Sequence, residues 1–324
     1  MMINPINARM LSLIGQRGAY GKSLAELASK NDAIWGMTAD QGALCGMAAF
    51  KKQFPDRFIN FGISEQNAVG VAAGMANEGC IPFLAFQSAF ATTRCADQVR
   101  VCMSYMNLNV KLVGLFSGFT VADCGPTHYS LQDIALYRTF PNMTIFSPAD
   151  SSETVKVLEA AAQLVGPVYI RLGGNINIPI IYRNDYEFVP GKSVKLRDGE
   201  RVCFMATGTM VANALIAADI LKKDVGIDAS VINFHTLKPF DVDAVKTALD
   251  NELIVTMEEH SLYGGLGSAV SMVVAESYSH ARVLPIAAKD CHMHAAEYDY
   301  LMKENGLTPE TVAEAVRCHL DLNG

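Results

Sequence analysis

The sequence lacks several features that would point to particular classes of protein. None of its eight cysteines belongs to a C-x-x-C pair, so neither a zinc ribbon nor a dithiol redox site is indicated. No run of about 18 apolar residues could span a membrane. The amino terminus shows no basic segment followed by an apolar stretch and a cleavage site. We therefore expect reduced thiols, a cytoplasmic location and no membrane association.

Charge is also scarce. Only 18% of the 324 residues are charged, and 33 acidic against 26 basic side chains give a formal net charge of −7. An acidic chain is repelled by the phosphates of nucleic acids and by anionic lipid surfaces. We expect no nucleic-acid partner, and any anion site must be a local exception built from a few arginines.

Catalytic motifs that can be recognised from short patterns are absent as well. There is no G-x-S-x-G nucleophile turn, no H-E-x-x-H zinc motif and no P-loop. There is also no G-D-G followed by a downstream asparagine, the pattern with which some enzymes hold a diphosphate through Mg²⁺. These absences leave the chemistry to residues that do not form a single local motif.

What the chain does contain is apolar material arranged in alternating strands and helices. Half of the residues are hydrophobic, and the length suggests about two domains. Continuously apolar strands that alternate with helical patterns predict parallel sheets covered on both faces. We predict an α/β protein of two domains, each a mostly parallel sheet flanked by helices. The domains are expected over residues 1–175 and 201–324, with a linker and one hairpin over 176–200.

Two details of the helices can also be predicted. A helix is expected over residues 7–30, with a break near Gly18. A second helix begins at Ser151, where Ser151 and Ser152 near Glu153 form a capping signal.

The first candidate site residue is Glu65, in the segment GISEQN (62–67). A predicted strand delivers it to a strand-to-helix turn, and ligands bind at this edge of open parallel sheets. Small and apolar neighbours would bury the carboxyl and favour its protonated form, which could hand over a proton. The alternative is a glutamate that merely favours the helix dipole.

Other candidates are weaker when taken one at a time. His128 lies in DCGPTHYS (123–130), on a loop after a strand, where an imidazole could exchange protons or simply be exposed. The aromatic run of Phe86 and Phe90 is as consistent with core packing as with a ring-binding pocket. Arg17 and Arg171 lie in a helix and at a strand end, where most arginines are solvated.

Two further segments are interpreted as structural. VTMEEHSLYGGLGS (255–268) imitates a dinucleotide-binding turn but lacks the third glycine and comes late in the chain. The cluster Cys291-His292-Met293-His294 could suggest a metal site, but adjacent residues rarely converge on one ion without other ligands. We predict no metal ligands in this chain.

Taken together, the motifs have a clear resemblance. GISEQN, IPFLAFQSAF, DCGPTH, FPNMTIFSPADSSE and GPVYIRL occur in the order and spacing of the transketolase pyrimidine-binding domain. ATGTMVANALIAADIL, FHTLKPFD, VTMEEHSLYGGLGS and NGLTPETVAEAV resemble the C-terminal domain that follows it. The chain resembles the C-terminal half of a transketolase, or equally of a deoxyxylulose-phosphate synthase. The β subunit of 2-oxoacid dehydrogenases fits less well.

The resemblance implies thiamine diphosphate chemistry and assigns roles to particular residues. Glu65 matches the glutamate that bonds N1′ of the cofactor's aminopyrimidine, and Phe90 matches the aromatic that stacks on that ring. Phe86 is expected in the same pocket. His128 matches a histidine that contacts the substrate near its reacting carbons and exchanges protons.

For the substrate's anionic tail, the resemblance points to two arginines. Arg17 and Arg171 match residues that clamp the terminal phosphate of the sugar, a task that suits the guanidinium group. Asp40 matches a structural aspartate. Cys124 stands where transketolases carry an aspartate that contacts a sugar hydroxyl, so the usual pentose-phosphate specificity is in question.

Two more departures concern the substrate's tail. Phe116 and Ser117 replace an expected histidine, and Leu44 aligns with a phosphate-facing serine. The two arginines still suggest an anionic sugar, a phosphate or a sulfonate.

In this family the diphosphate and Mg²⁺ (or Ca²⁺) are held by a separate domain that is not present in this sequence. The resemblance therefore implies a diphosphate-binding N-terminal partner subunit and a heterotetramer of two plus two chains. The expected activity is transfer of a two-carbon ketol unit. A decarboxylating synthase of the deoxyxylulose-phosphate type and a non-catalytic homologue remain as alternatives.

Overall fold

The computed structural model describes residues 2–174 and 179–320, which form two α/β domains. The first contains a seven-stranded sheet with the order β10-β5-β6-β4-β3-β1-β2. All its strand pairs are parallel except that of β10 with β5. The strands are β1 (Ile34–Thr38), β2 (Phe58–Asn60), β3 (Ile81–Gln87), β4 (Lys111–Ser117), β5 (Thr144–Phe146), β6 (Val168–Gly173) and β10 (Thr236–Lys238).

Helices cover both faces of this sheet, as continuously apolar strands require. They are α1 (Pro5–Ala28), α2 (Ala48–Gln53), α3 (Glu65–Asn77), α4 (Ala96–Gln98), α5 (Asp133–Arg138) and α6 (Ser151–Gln163). Two π-helical segments, Phe90–Arg94 and Val99–Tyr105, flank α4.

The first helix is interrupted at Gly15, not near Gly18 as predicted. Gly15 has φ 67° and ψ 179°, a conformation that glycine reaches most easily. Gly18 instead lies in regular helix, where a Cβ atom would stand 2.6 Å from Cβ of Ile14. Cβ atoms four residues apart in an unbroken helix are about 5–6 Å apart, so the interruption at Gly15 is what brings Ile14 against Gly18.

The cap of α6 also differs from the prediction. The side chain of Asp150 accepts the Glu153 amide at 2.7 Å, so Asp150 is the capping residue. Its other carboxylate oxygen accepts the amides of Ile181 and Tyr182 from the segment that follows the first domain. One aspartate thus caps the helix and fastens the connecting segment.

The second domain contains a five-stranded sheet with the order β12-β11-β8-β9-β7, parallel except for β7. Its strands are β7 (Val194–Arg197), β8 (Val202–Ala206), β9 (Ser230–Asn233), β11 (Leu253–Ser261) and β12 (Arg282–Ala288). Its helices are α7 (Met210–Val225), α8 (Val242–Lys246), α9 (Leu266–Glu276), α10 (Tyr298–Glu304) and α11 (Pro309–His319). The predicted fold class is therefore confirmed.

The segment predicted as a linker contains a strand of the second sheet. The boundary at 175/176 lies outside the described residues. β7 falls within the expected linker, but it pairs with β9 of the second domain and forms no local hairpin. β10, in contrast, leaves the second half of the chain to extend the first sheet. No helix of the described residues is long and apolar enough to cross a bilayer.

A buried acidic group lies between the two domains. Glu153 accepts the amide of Ala149, the side-chain amide of Asn233 from β9 and the hydroxyl of Tyr186. Burial is the main cause that raises its pKa from 4.5 to about 7. The folded chain therefore holds a proton at Glu153 in a pH range where the unfolded chain has released it.

This linkage predicts how stability responds to pH. Because the folded-state pKa is raised, the contribution of Glu153 to stability falls as the pH rises from about 5 to above 7. Glu153→Gln keeps the side chain's shape without the buried charge, and should raise the free energy of unfolding by about 1–3 kcal/mol at pH 8. The gain should disappear near pH 5. Urea unfolding at pH 5 and pH 8 measures this difference in the free energy of unfolding. Glu187→Gln, at an exposed position, is the control. An equal effect at both pH values would contradict the linkage.

Candidate active site

The candidate residues gather at the carboxyl edge of the first sheet. β6, β4, β3 and β1 are consecutive neighbours there, and each is followed by a segment that carries polar or aromatic side chains. Ligands of open α/β sheets bind at this edge because the loops leave a crevice between them. Among the residues that the structure describes, one pocket at this edge lies around Glu65 and another around Arg17.

Glu65 is the first residue of α3 and follows the short strand β2. Its side chain is 1% exposed, and Oε1 accepts a hydrogen bond from Nη1 of Arg94 at 2.8 Å. The second oxygen, Oε2, is buried without a hydrogen-bond partner. A buried carboxylate oxygen of this kind carries a large desolvation cost, so the arrangement favours a ligand that hydrogen-bonds to it.

Glu65 lines a pocket of about 220 Å³. It is lined by Ala39, Asp40, Gln41, Ile63, Glu65, Phe90 and Arg94. The guanidinium of Arg94 lies over the ring of Phe90, 4.0 Å from its centre. The ring of Phe90 is thus one wall of the pocket, and Arg94 covers one of its faces. Arg94 was not predicted from the sequence, because no local pattern links it to Glu65, 29 positions earlier.

His128 extends the same site on the side of Phe90. The two rings contact edge to face, with centres 5.4 Å apart. Oγ1 of Thr127 lies 2.9 Å from Nδ1 of His128, and the His128 amide donates to the carbonyl of Gly125. The Gly-Pro-Thr-His turn therefore fixes an imidazole next to the aromatic wall of the Glu65 pocket.

Arg17 stands at a second pocket of about 240 Å³, which is lined by the ends of β4 and β6 and by the interrupted part of α1. The side chain is exposed, donates to the carbonyl of Leu44 at 3.3 Å and lies 5.8 Å from the ring centre of Phe116. Apolar side chains, including Leu115 and Leu172, line much of the pocket. Among the described residues that line this pocket, Arg17 is the positively charged one.

The expected role of Arg171 is wrong. This arginine is 3% exposed, and its Nε forms an ion pair with Oδ2 of Asp133 at 2.8 Å. Its Nη2 donates to the carbonyl of Glu259 at 2.7 Å and to that of Ser130 at 3.4 Å. A guanidinium so enclosed is not presented to a substrate, because β6 is buried on both faces and the side chain points into the contact between the domains.

Phe86 also departs from the expectation. It is fully buried in the main core with Leu84 and the small residues of α3, and does not line the pocket of Glu65. Cys124 lies exposed on the loop that carries His128. Partial burial and the charge of Asp123 raise the pKa of its thiol, so the neutral form is favoured at neutral pH.

The Gly-rich turn after β11 has a structural role. The carboxylate of Glu258 accepts the amides of Leu266 and Gly267 at 2.8 Å each and thereby caps α9. A Cβ atom on Gly265 would lie 1.8 Å from Oε2 of Glu258, which explains the glycine. Within the parts of the chain that the structure describes, no three His, Cys, Asp or Glu side chains gather at a possible metal site.

Comparison with known families agrees with this architecture of a pyrimidine-binding domain followed by a second α/β domain. The family model described as transketolase, pyrimidine binding domain, matches residues 14–175, and that of the transketolase C-terminal domain matches residues 191–312. The chain belongs to the transketolase family. The family predicted from the motifs is thus confirmed.

Individual relatives are similar over most of their length. The chain is 40% identical over 300 residues to the 6-deoxy-6-sulfo-D-fructose transketolase subunit SqwH of Clostridium sp. (strain MSTE9), covering 92% of each protein. It is 36% identical to an apulose-4-phosphate transketolase subunit of Phocaeicola vulgatus, covering 85% of this chain and 88% of that protein. A solved structure described as a split gene transketolase, inactive beta4 tetramer, superposes with a TM-score of 0.85 at 38% identity, covering 96% of this chain and 99% of that one.

Proposed function

We propose that the chain is the C-terminal subunit of a split, thiamine-diphosphate-dependent transketolase that moves a two-carbon ketol unit between anionic sugars. The proposal rests mainly on one observation. A buried carboxylate oxygen of Glu65 lacks a partner, and Glu65 and Phe90 line the same pocket. This pair of features suits an aminopyrimidine ring, which needs a hydrogen-bond partner at one nitrogen and an aromatic surface for its face.

Each residue of the pocket then has a defined task. When bound, thiamine diphosphate supplies the carbon nucleophile that carries the two-carbon unit between sugars. Glu65 would share a proton with the ring nitrogen N1′ through Oε2, while Arg94 holds the other carboxylate oxygen in place. Phe90 would support the ring, with Ala39 and Ile63 as the other apolar residues of the lining. His128 would exchange protons with the hydroxyl groups of the sugar.

The diphosphate and its metal require a second subunit in this proposal. The described residues offer no cluster of metal ligands, and the sequence has no G-D-G motif with a downstream asparagine. A diphosphate-binding subunit would hold the diphosphate with Mg²⁺ or Ca²⁺, and two copies of each chain would assemble into a heterotetramer. The similar structure described as a split gene transketolase, inactive beta4 tetramer, supports this dependence, since its name describes a tetramer of beta subunits as inactive.

The pocket of Arg17 is proposed to receive the anionic tail of the sugar. The Glu65 pocket lies at the ends of β1 to β3, and the Arg17 pocket lies at the ends of β4 and β6. Their centres are therefore about two and a half strand spacings apart, roughly 12 Å. This distance matches a sugar of five or six carbons whose reacting end approaches the cofactor. Because Arg171 is engaged in the interior, the pocket presents one guanidinium, which is compatible with a phosphate or a sulfonate.

The function is tested by ketol transfer in the complex with a diphosphate-binding subunit. Ketose phosphates, ketose sulfonates and uncharged ketoses are compared as donors, and a 2-oxoacid serves as the donor of the decarboxylating alternative. We expect transfer from an anionic ketose without release of CO₂. Turnover of the 2-oxoacid alone would instead assign the chain to the decarboxylating synthases.

Arg17→Met tests the assignment of the substrate's tail. The variant keeps most of the side chain's length but removes its charge, and a hydrogen bond to a charged group contributes about 1.5–3 kcal/mol. The KM for the anionic donor should therefore rise about 10- to 100-fold, with little change in kcat. Steady-state kinetics measure it, and Arg9→Met, an exposed arginine of the same helix, is the control. An equal rise for an uncharged ketose would refute the assignment.

A further inference from the structure

The loop that carries His128 is closed at its base. Residues 118–130 leave β4 and return to it, and Gly118 and Ser130 exchange two backbone hydrogen bonds of 2.9 and 3.2 Å. We call this segment the histidine loop. It also carries Cys124, so both side chains assigned to the substrate on this side of the site depend on its position.

A carboxylate of the second domain forms a hydrogen bond to one end of the histidine loop. Oε1 of Glu259, in β11, accepts the amide of Phe119 at 2.6 Å. Its Oε2 accepts hydrogen bonds from Oγ1 of Thr209 at 2.6 Å and from the hydroxyl of Tyr298 at 2.9 Å. Glu259 is 1% exposed, and Phe119 is fully buried. The carboxylate thus satisfies a loop amide that water cannot reach.

The backbone at this point is shaped to admit the carboxylate. Gly118 has φ +67°, and a Cβ atom on it would lie 2.3 Å from Oε1 of Glu259. A side chain at position 118 would collide with the carboxylate as well as adopt an unfavourable conformation. The glycine and the glutamate therefore form a matched contact between the two domains.

The second domain also holds the other end and the middle of the histidine loop. The amide of Ser261 donates to the carbonyl of Leu131 at 2.8 Å, directly after the loop. The hydroxyl of Tyr129, next to His128, donates to the carbonyl of His294 at 2.6 Å. The amide of Ala296 donates to the carbonyl of Ala122. The second domain thus contacts the loop near both ends and in its middle.

We propose that Glu259 is a positioning residue that holds the histidine loop, and that the second domain contributes to catalysis through it. Glu259 does not touch the pockets of Glu65 or Arg17. It acts on His128 through the backbone of the loop. The catalytic part of this inference rests on the proposed function, whereas the mechanical part concerns the chain alone.

The neighbouring glutamate provides a matched control. Glu258 is also buried, at 2% exposure, and its carboxylate accepts two hydrogen bonds where that of Glu259 accepts three, but both come from the start of α9. Glu258→Ala and Glu259→Ala therefore remove comparable groups from the same strand. Both variants should lose stability, but only one loses a contact to the histidine loop.

Glutamine at position 259 provides the conservative comparison. Its carbonyl oxygen can still accept the amide of Phe119, and its amino group can donate to the hydroxyls of Thr209 and Tyr298, which accept as well as donate. Glu259→Gln should therefore retain the position of the loop, which Glu259→Ala does not.

Amide hydrogen exchange of the full chain tests the mechanical part. We expect Glu259→Ala to speed the exchange of the Phe119 and Ser130 amides about 10- to 100-fold, while Glu258→Ala and Glu259→Gln leave them protected. Faster exchange in Glu258→Ala to the same degree, or no change in Glu259→Ala, would overturn the proposal. If Glu259→Ala does not fold, the double variant Thr209→Val with Tyr298→Phe is used instead, because it removes the two hydroxyl groups that hold the carboxylate. It should give the same faster exchange of the Phe119 and Ser130 amides. Unchanged protection of these amides would overturn the proposal.

Kinetics of the complex with the diphosphate-binding subunit test the catalytic part. A displaced His128 should lower kcat about 10- to 100-fold in Glu259→Ala, with thiamine diphosphate binding unchanged and activity regained in Glu259→Gln. A kcat equal to that of Glu258→Ala would overturn the catalytic role. Absence of ketol transfer by the wild-type complex would count against the proposed function and leave the exchange result to decide on the loop contact.

Discussion

Replacing Glu65 by glutamine is expected to lower the rate of ketol transfer by about a thousandfold. Glutamine has the size and shape of glutamate, so Oε1 can still accept from Arg94 and the pocket keeps its form. The group at the position of Oε2 becomes an amino group, which cannot hold a transferable proton at N1′. The variant should therefore fold and assemble as the wild type does, but should fail at the proton exchange that activates the cofactor.

The exchange of the C2 proton of thiamine diphosphate in the complex, followed by NMR, measures this effect without any sugar substrate. Glu78→Gln serves as control, since Glu78 is exposed at the opposite end of α3. The control should exchange at the wild-type rate. Wild-type exchange in Glu65→Gln would remove Glu65 from its assigned role.

His128→Ala should have the second largest effect, a fall in kcat of about a hundredfold. The imidazole contacts Phe90 at the edge of its ring and does not line the Glu65 pocket, so the affinity for thiamine diphosphate should be unchanged. Loss of the imidazole removes a group that exchanges protons with the sugar, and leaves C2 proton exchange intact. Glu65→Gln and His128→Ala are thus separated by that one measurement.

Steady-state kinetics with an anionic ketose and titration of the cofactor measure the two expectations for His128. His292→Ala is a suitable control because His292 is exposed in the second domain. If His128→Ala instead lost the cofactor while kcat of the loaded fraction stayed normal, His128 would belong to the cofactor site.

The sequence was sufficient to predict the fold class because two kinds of pattern agree. Apolar strands alternating with helices predict parallel sheets, and the turn GISEQN places Glu65 where a strand meets a helix. Pairing between distant segments could not be predicted in the same way. β7 and β10 are short, and each joins a sheet through contacts with residues far along the chain. The local strand propensity of a segment does not indicate which distant segment it pairs with.

The same limit explains the site residues that were predicted incorrectly. Arg171 lies near the carboxyl end of an apolar strand, a position that suits anion binding, but its partner Asp133 lies in another element, 38 positions away. Phe86 and Phe90 differ by four positions, yet one lies within β3 and faces the core while the other follows it and borders the pocket. Arg94 and Glu259 carry no local signal, because each acts through a residue brought near by folding.

The most direct test of the account is ketol transfer by the chain after mixing with a diphosphate-binding transketolase subunit, thiamine diphosphate and Mg²⁺. We expect no transfer by either polypeptide alone, and transfer from an anionic ketose once a complex of two copies of each has formed. Activity of this chain without the second subunit would contradict the shared active site. An assembled, cofactor-loaded complex that transfers no ketol unit from any anionic ketose would contradict the proposed reaction.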